Sequence, residues 1–211
     1  MTVTTTVVVL HSKYSDPDEY EAIFGPLVAD LPARLVLPRA PFAARDGYSW
    51  FPSASGAAHA NLVSAGCDRL AVDVAGAGPL VVTGASQGGD LAFALALRHP
   101  GLVTAALPML GLCPPSLWPT AADRCPPIHA FHGEADPIVA IDDARRVADG
   151  LGRRGARISL HTYPGLGHDF SAAMLADWRT TVTDVVTAAG RGEAGNAPPD
   201  RRSRRTAPGR G

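Results

Sequence analysis

Three residues of this chain could together carry out nucleophilic chemistry. Ser86 lies in Gly84-Ala85-Ser86-Gln87-Gly88, a G-x-S-x-G pattern whose small residues let a chain turn sharply enough to hold up a hydroxyl at a strand-to-helix elbow. A serine hydroxyl alone is a poor nucleophile, because it needs an imidazole to take its proton and a carboxylate to orient that imidazole. Asp136, in His132-Gly-Glu-Ala-Asp136-Pro, and His168, in Gly165-Leu-Gly-His168-Asp-Phe, supply those types in the order Ser, Asp, His. Glu134 and Asp169 are the alternative acids. Asp136 is preferred because it stands deeper in its turn and Asp169 adjoins the base itself. The chemistry such a set performs is acyl transfer: Ser86 attacks a carbonyl, His168 takes the proton, Asp136 fixes the tautomer, and the N–H of Gln87, at a helix N-terminus, faces the developing oxyanion.

For these residues to meet, the elements carrying them must share an edge. Leu80-Val81-Val82 reads as a strand and Leu91 to Arg98 as a helix, which puts Ser86 in the turn between them. Further strands are read at residues 3–10, 33–37, 103–110, 128–132 and 157–163, and helices at 16–29, 53–74, 141–151 and 171–188. Strands alternating with helices imply an α/β fold with a mainly parallel sheet of about six strands and helices on both faces, joined by right-handed crossovers. Loops that follow parallel strands emerge at one edge, so Ser86, Asp136 and His168 converge there. Gly25-Pro26 is expected to break or kink the first helix, and Gly66 to weaken the second. Residues 38–52 form a long loop with prolines and aromatics and are a candidate wall of a binding site. The prolines of residues 111–119 argue against regular structure there, and no cap domain is inserted between Met109 and His129.

At 211 residues and 46% hydrophobic, the chain can bury one sizeable core, so one domain is expected over residues 1–189. Residues 190–211 lack apolar residues able to order them and are expected to be a disordered tail. From Arg191 onward six arginines against Glu193 and Asp200 give this stretch a charge of +4, so the rest carries −5 of the net −1. Arg201-Arg202-Ser203-Arg204-Arg205 has no interleaved aromatic for base stacking and reads as a solvated tail; no nucleic-acid partner is expected. Cys67, Cys113 and Cys125 form no C-x-x-C pair and are odd in number, which points to a reducing, cytoplasmic compartment. The N-terminal residues have no basic n-region, and no apolar run is long enough for membrane insertion. His129 and His132, three apart on a strand, face opposite sides and cannot share an ion. His11, His59, His99 and His161 show no ligand cluster, so no metal is assigned. A homodimer is left open.

The chain resembles the α/β-hydrolase superfamily over about residues 7 to 186, and more narrowly its phospholipase/carboxylesterase branch, which includes acyl-protein thioesterases. The resemblance rests on Val9-Leu10-His11, Pro38-Arg-Ala-Pro41 with Gly47-Tyr-Ser-Trp-Phe51, Gly84-Ala-Ser-Gln-Gly-Gly89, His132-Gly-Glu-Ala-Asp136-Pro and Gly165-Leu-Gly-His168. It implies a serine esterase or thioesterase without a cofactor, acting on small to medium acyl substrates, with the N–H groups of Gln87 and Lys13 as oxyanion donors. Where that branch has His-Gly-x-Gly, this chain has His11-Ser12-Lys13-Tyr14, with both glycines replaced, and a non-glycine residue resists positive φ. Apolar loop residues near the three catalytic candidates mark the expected pocket: Tyr14, Trp50, Phe51 and Leu112 on the earlier loops, Trp118, Ile138 and Phe170 on the later ones.

Three rival readings stand beside this one. Thr83-Gly-Ala-Ser-Gln-Gly-Gly89 also resembles the glycine-rich turn of nicotinamide-dependent short-chain oxidoreductases, but that turn follows a first strand and no Tyr-x-x-x-Lys exists here. A catalytically silent scaffold used for binding becomes the better reading if the loop after the first strand cannot form a donor. A peptidase or amidase on the same fold is the third.

Overall fold

Runs such as Thr5-Thr-Val-Val-Val-Leu10 and Leu80-Val-Val-Thr-Gly-Ala85 are buried at every position, as strands covered by helices on both faces must be. The computed structural model describes residues 4–191. In chain order the elements are β1 (Thr5–Leu10), α1 (Pro17–Val28), β2 (Ala33–Val36), β3 (Phe42–Ala44), β4 (Gly47–Ser49), α2 (Gly56–Asp73), β5 (Leu80–Ala85), α3 (Gln87–Arg98), β6 (Ala105–Met109), a 3₁₀ turn (Pro115–Leu117), β7 (Ile128–Gly133), α4 (Ile141–Gly152), β8 (Ile158–Tyr163) and α5 (Ala172–Gly190). Six strands form one sheet in the order β2-β1-β5-β6-β7-β8, all pairs parallel. This is the expected α/β architecture, with no cap between β6 and β7. Of the segment expected to form a disordered tail, Gly190 closes α5 and the remainder beyond Arg191 lies outside the described residues.

Two cores sandwich the sheet. On one side Val63, Cys67 and Leu70 of α2, Leu91 and Leu95 of α3 and Leu151 of α4 pack on Val8, Leu10, Leu80 and Val82. On the other, Phe24 of α1 and Met174, Trp178 and Val182 of α5 pack on Val7, Val9, Val81 and Leu107. Burying one such large apolar side chain contributes about 1.5–3 kcal/mol. The polar edge of Trp178 is satisfied inside: its Nε1 donates to Thr83 Oγ1 at 2.9 Å, and that hydroxyl donates to Leu107 O at 2.6 Å.

The local departures from expectation have physical causes. Helix α1 runs through Gly25-Pro26 unbroken. Ala22, whose carbonyl loses its partner to Pro26, is exposed on the solvent face, where water can replace the missing bond. Helix α2 is continuous across Gly66, and a β-carbon there would come within 3.2 Å of Leu91 Cδ2, so the glycine lets α2 and α3 approach closely. Residues 38–52 are not all loop: β3 and β4 form an antiparallel hairpin around Arg45-Asp46, with Arg45 at φ 54°. Within the described residues no helix is long and apolar enough to cross a membrane.

The sheet order creates a crevice. From β1 the chain crosses through α1 to β2 on one side, while α2 leads into β5 on the other. The loops at the C-terminal ends of β1 and β5 therefore diverge, and such a switch point is where open α/β sheets bind ligands.

Candidate active site

Ser86 joins β5 to α3 with φ 54° and ψ −117°, a conformation costing a non-glycine residue about 1–3 kcal/mol and held only by its surroundings. Its N–H donates to Met109 O at 3.0 Å, and its carbonyl accepts from Asp90 N at 2.9 Å, opening α3. The flanking glycines are required by backbone packing. A β-carbon on Gly88 would lie 2.1 Å from Leu10 O, and one on Gly84 would lie 2.7 Å from both Gly88 and Leu10 O. The elbow is thus wedged against the end of β1. The Gln87 N–H is among the first amides of α3, which lack intrahelical acceptors.

The loops after β7 and β8 bring the other two candidates together. His168 Nδ1 lies 2.7 Å from Asp136 Oδ2. Asp136 Oδ1 accepts from the N–H groups of Ile138 at 2.8 Å and Val139 at 2.9 Å. Its side chain is fully buried. Burial pushes the Asp136 carboxyl up, but the Val139 amide, His168 and the Ile138 amide more than offset this and hold it below its usual range. His132, also buried, sits 3.4 Å from Asp136 Oδ2 through Nε2, which is also 2.9 Å from Val139 O. Since Val139 O can only accept, Nε2 carries hydrogen. The alternative acids are engaged elsewhere: Glu134 accepts from Thr162 Oγ1 at 2.8 Å, and Asp169 accepts from the Phe170 N–H.

Ser86 and His168 line one cleft of about 350 Å³, together with Ser12, Lys13 and Tyr14 after β1 and Glu19, Tyr20 and Ile23 of α1. The loop after β1 forms a turn without glycine, and Tyr14 takes the left-handed φ of 70°. Its amides can be accounted for one by one. Ser12 N donates to the Tyr20 hydroxyl at 3.0 Å, Tyr14 N to Tyr48 O at 2.8 Å and Ser15 N to Ser12 O at 3.4 Å. Lys13 N is the one amide of residues 12–15 with no acceptor among the described residues. His11 anchors the turn from below: its ring Nδ1 meets Ser12 O at 2.7 Å, its Nε2 accepts from Ala40 N at 3.1 Å, and its own carbonyl accepts from Trp50 Nε1 at 2.7 Å.

Of the expected pocket residues, Tyr14 and Phe170 line the cleft and the other five do not. Trp50 and Phe51 are buried in the core, where Gln87 binds their backbone: its Oε1 accepts from Trp50 N and Ser49 Oγ, each at 3.0 Å, and its Nε2 donates to Phe51 O at 2.9 Å. Leu112 packs on the α2/α3 side, its N–H donating to buried Asp90 at 2.7 Å. Trp118 lies against Gly150 of α4, and Ile138 is 71% exposed. Conversely, Tyr20, Ile23 and Leu110 line the cleft without having been expected. Tyr20 and Ile23 belong to α1, and the sequence marks that segment only as a helix.

Two of the histidines read as showing no ligand cluster have acidic partners. His59 Nε2 lies 3.3 Å from Asp90 Oδ2. His99, Asp68 and Cys67 bring potential ligand atoms within 4.8 Å of one another, but Asp68 is taken by the Arg98 guanidinium at 2.9 Å through each oxygen, and burial raises the Cys67 thiol to about 12. His129 and His132 engage different groups, Ser159 and Val139.

Burial lowers the pKa values of His11 and His132. The unfolded chain binds protons at these positions near pH 6.5 while the folded chain resists them, so stability falls as pH drops below about 6.5. His59, raised by Asp90, acts in the opposite sense: its contribution is complete below about pH 6.5 and is lost as pH rises through its folded value. Because His132 resists protonation only in the folded chain, replacing it by Gln is expected to raise the denaturant midpoint at pH 5 relative to that at pH 6.5, compared with the wild-type protein; an unchanged pH dependence in His132→Gln would show that burial of His132 does not couple folding to protonation.

Residues 59–188, more than half of the chain, match the dienelactone hydrolase family. The chain belongs to that family. Shorter stretches of this dienelactone hydrolase family member are similar to acyl-protein thioesterase 1 of Gibberella zeae, 44% identical over 50 residues, and of Debaryomyces hansenii, 38% identical over 61 residues. These matches take in 24% and 28% of the chain and only 21% and 26% of the two relatives, so the chain spans about a fifth to a quarter of their length. Its fold is similar to that of esterase PE8 (TM-score 0.72, 24% identity, 87% of this chain and 93% of that one) and of Zea mays acyl-protein thioesterase 2 (TM-score 0.66, 21% identity, 88% and 95%). A carboxylesterase of Bacillus cereus is similar too, with TM-score 0.68, 16% identity and coverage of 88% and 90%. The solved structures share the fold, and the family match accords with a hydrolase. They do not favour the nicotinamide reading, whose turn follows a first strand, whereas here it follows β5 in the interior of the sheet.

Proposed function

We propose that the protein is a serine hydrolase that cleaves carboxylic ester or thioester bonds through an acyl-enzyme on Ser86. The observation that carries this reading is the 2.7 Å contact between His168 Nδ1 and the buried Asp136 carboxylate, with His168 and Ser86 on the wall of one cleft. Asp136 holds the hydrogen on Nδ1, which leaves the His168 Nε2 lone pair to take the Ser86 proton as Oγ bonds to the acyl carbon. The negative charge then formed on the acyl oxygen is met by the N–H groups of Gln87 and Lys13. His168 returns the proton to the departing alcohol or thiol, and water, deprotonated by the same imidazole, releases the acid. The open Lys13 amide supports this reading over a silent binding scaffold. A cleft of about 350 Å³ is at the small end for ligand sites, which favours small to medium acyl groups.

The test is covalent labelling. A fluorophosphonate probe is expected to add one equivalent to the intact protein, with the label on the peptide containing Ser86 and protection by excess short-chain p-nitrophenyl ester. A folded protein that hydrolyses such esters without being labelled at Ser86 would overturn the assignment.

A further inference from the structure

A loop without glycine needs side-chain or backbone ties to aim an amide at the acyl oxygen, and the partners of this loop can be named. Ser12, Tyr14 and Ser15 each spend their N–H on a defined acceptor, and Tyr14 tolerates φ 70° with its N–H tied to Tyr48 O in the β3/β4 hairpin. Two of these acceptors are backbone carbonyls. The third, for Ser12, is the side-chain oxygen of Tyr20, three residues beyond Pro17 at the start of α1. We propose that Tyr20 is the positioning residue of the oxyanion loop: its phenol oxygen takes the Ser12 N–H and so turns the next peptide to present the Lys13 N–H toward Ser86. The inference rests on the serine hydrolase reading above and assigns Tyr20 a part in it without contact with the reacting atoms.

The setting of Tyr20 suits a fixed post. Its ring stacks on Phe24 with centroids 5.6 Å apart and meets Phe170 edge-on at 5.9 Å and His11 at 6.2 Å, so the ring that carries the hydroxyl is held from three sides. The residue is 3% exposed, and burial raises the phenol to about 12, which keeps it neutral throughout the working range of an imidazole base. Its register is set at the helix start, where Asp16 caps the Glu19 N–H at 2.9 Å and the Ser15 hydroxyl bonds Glu19. Without the phenol oxygen, the N–H of half-buried Ser12 loses the acceptor that fixes it, and the peptide is free to rotate away.

Tyr20→Phe keeps the ring and removes the hydroxyl, and with it the acceptor of the Ser12 N–H. On a p-nitrophenyl ester, kcat is expected to fall about 10- to 100-fold, short of the loss of a whole oxyanion donor, with KM within about twofold. A trifluoromethyl ketone, which forms an oxyanion when Ser86 adds to it, should lose affinity by the same factor as kcat; a purely structural role gives no such match. Unchanged kcat and unchanged ketone affinity in Tyr20→Phe overturn the proposal. Lys13→Pro deletes the amide itself and leaves Tyr20 in place: it should show a loss at least as large, and adding Tyr20→Phe to it should cost less than about a further twofold. Fully additive losses, or a Lys13→Pro protein with wild-type turnover, also overturn it, the latter even if Tyr20→Phe does not fold. If the wild-type protein neither binds the ketone nor reacts with a fluorophosphonate, the serine hydrolase reading itself has failed instead.

Discussion

Ser86→Ala is expected to lower kcat for ester and thioester hydrolysis by about a million-fold, leaving only the roughly 10³- to 10⁴-fold advantage over water that binding and oxyanion donors provide without a nucleophile. The fold should be retained. The elbow is held by backbone contacts, Ser86 N to Met109 O and Asp90 N to Ser86 O, and by the approach of Gly84 and Gly88 to β1, none of which uses the hydroxyl. Alanine also keeps a β-carbon at φ 54°, so the strain at the position is unchanged. Steady-state assays with a thermal midpoint measured alongside separate the two effects. A folded Ser86→Ala protein that retains turnover within tenfold of wild type would falsify the nucleophile assignment and move the chemistry elsewhere in the cleft.

The sheet and the three candidate catalytic residues were legible in the sequence because each is a consequence of local pattern and one topological rule. Apolar β-branched runs alternating with helical segments allow few folds other than a parallel sheet, and post-strand loops of such a sheet share an edge. The hairpin at β3 and β4 was harder to see: its strands have three residues each, too short for alternation to show, and the one turn signal, Asp46-Gly47, lies among prolines and aromatics. Five of the seven expected pocket residues lie away from the cleft, Trp50 and Phe51 for a different reason. Trp50 and Phe51 have the composition of a binding wall, but the Gln87 carboxamide binds their backbone and draws the segment into the core. That tie links residues 36 or more positions apart and leaves no periodic trace. Tyr20 was hidden in the opposite way, since an aromatic on the inner face of a helix looks like core packing whether or not its hydroxyl serves a neighbouring loop.

Asp136→Asn is expected to lower kcat by about 10⁴-fold while changing KM little. The size of the effect follows from how the carboxylate is held. Oδ1 accepts from two amides, Ile138 N and Val139 N, whereas Oδ2 faces His168 Nδ1. An asparagine must put its carbonyl oxygen where the two N–H donors are, because an NH₂ group there would meet donors with donors. Its NH₂ then faces His168 and can only donate, so Nδ1 must accept and the hydrogen moves to Nε2. In that tautomer His168 has no lone pair to offer the Ser86 hydroxyl. The variant should remain folded, since the two amide bonds that order the turn after β7 survive, and fluorophosphonate labelling of Ser86 should slow in parallel with kcat. Asp136→Ala makes a useful contrast: it frees the imidazole to take either tautomer but leaves the Ile138 and Val139 amides without their acceptor, so it should lose more stability than Asp136→Asn. An Asp136→Asn enzyme with near wild-type kcat would mean that the tautomer of His168 does not limit the reaction and that the buried carboxylate serves only to order its loop.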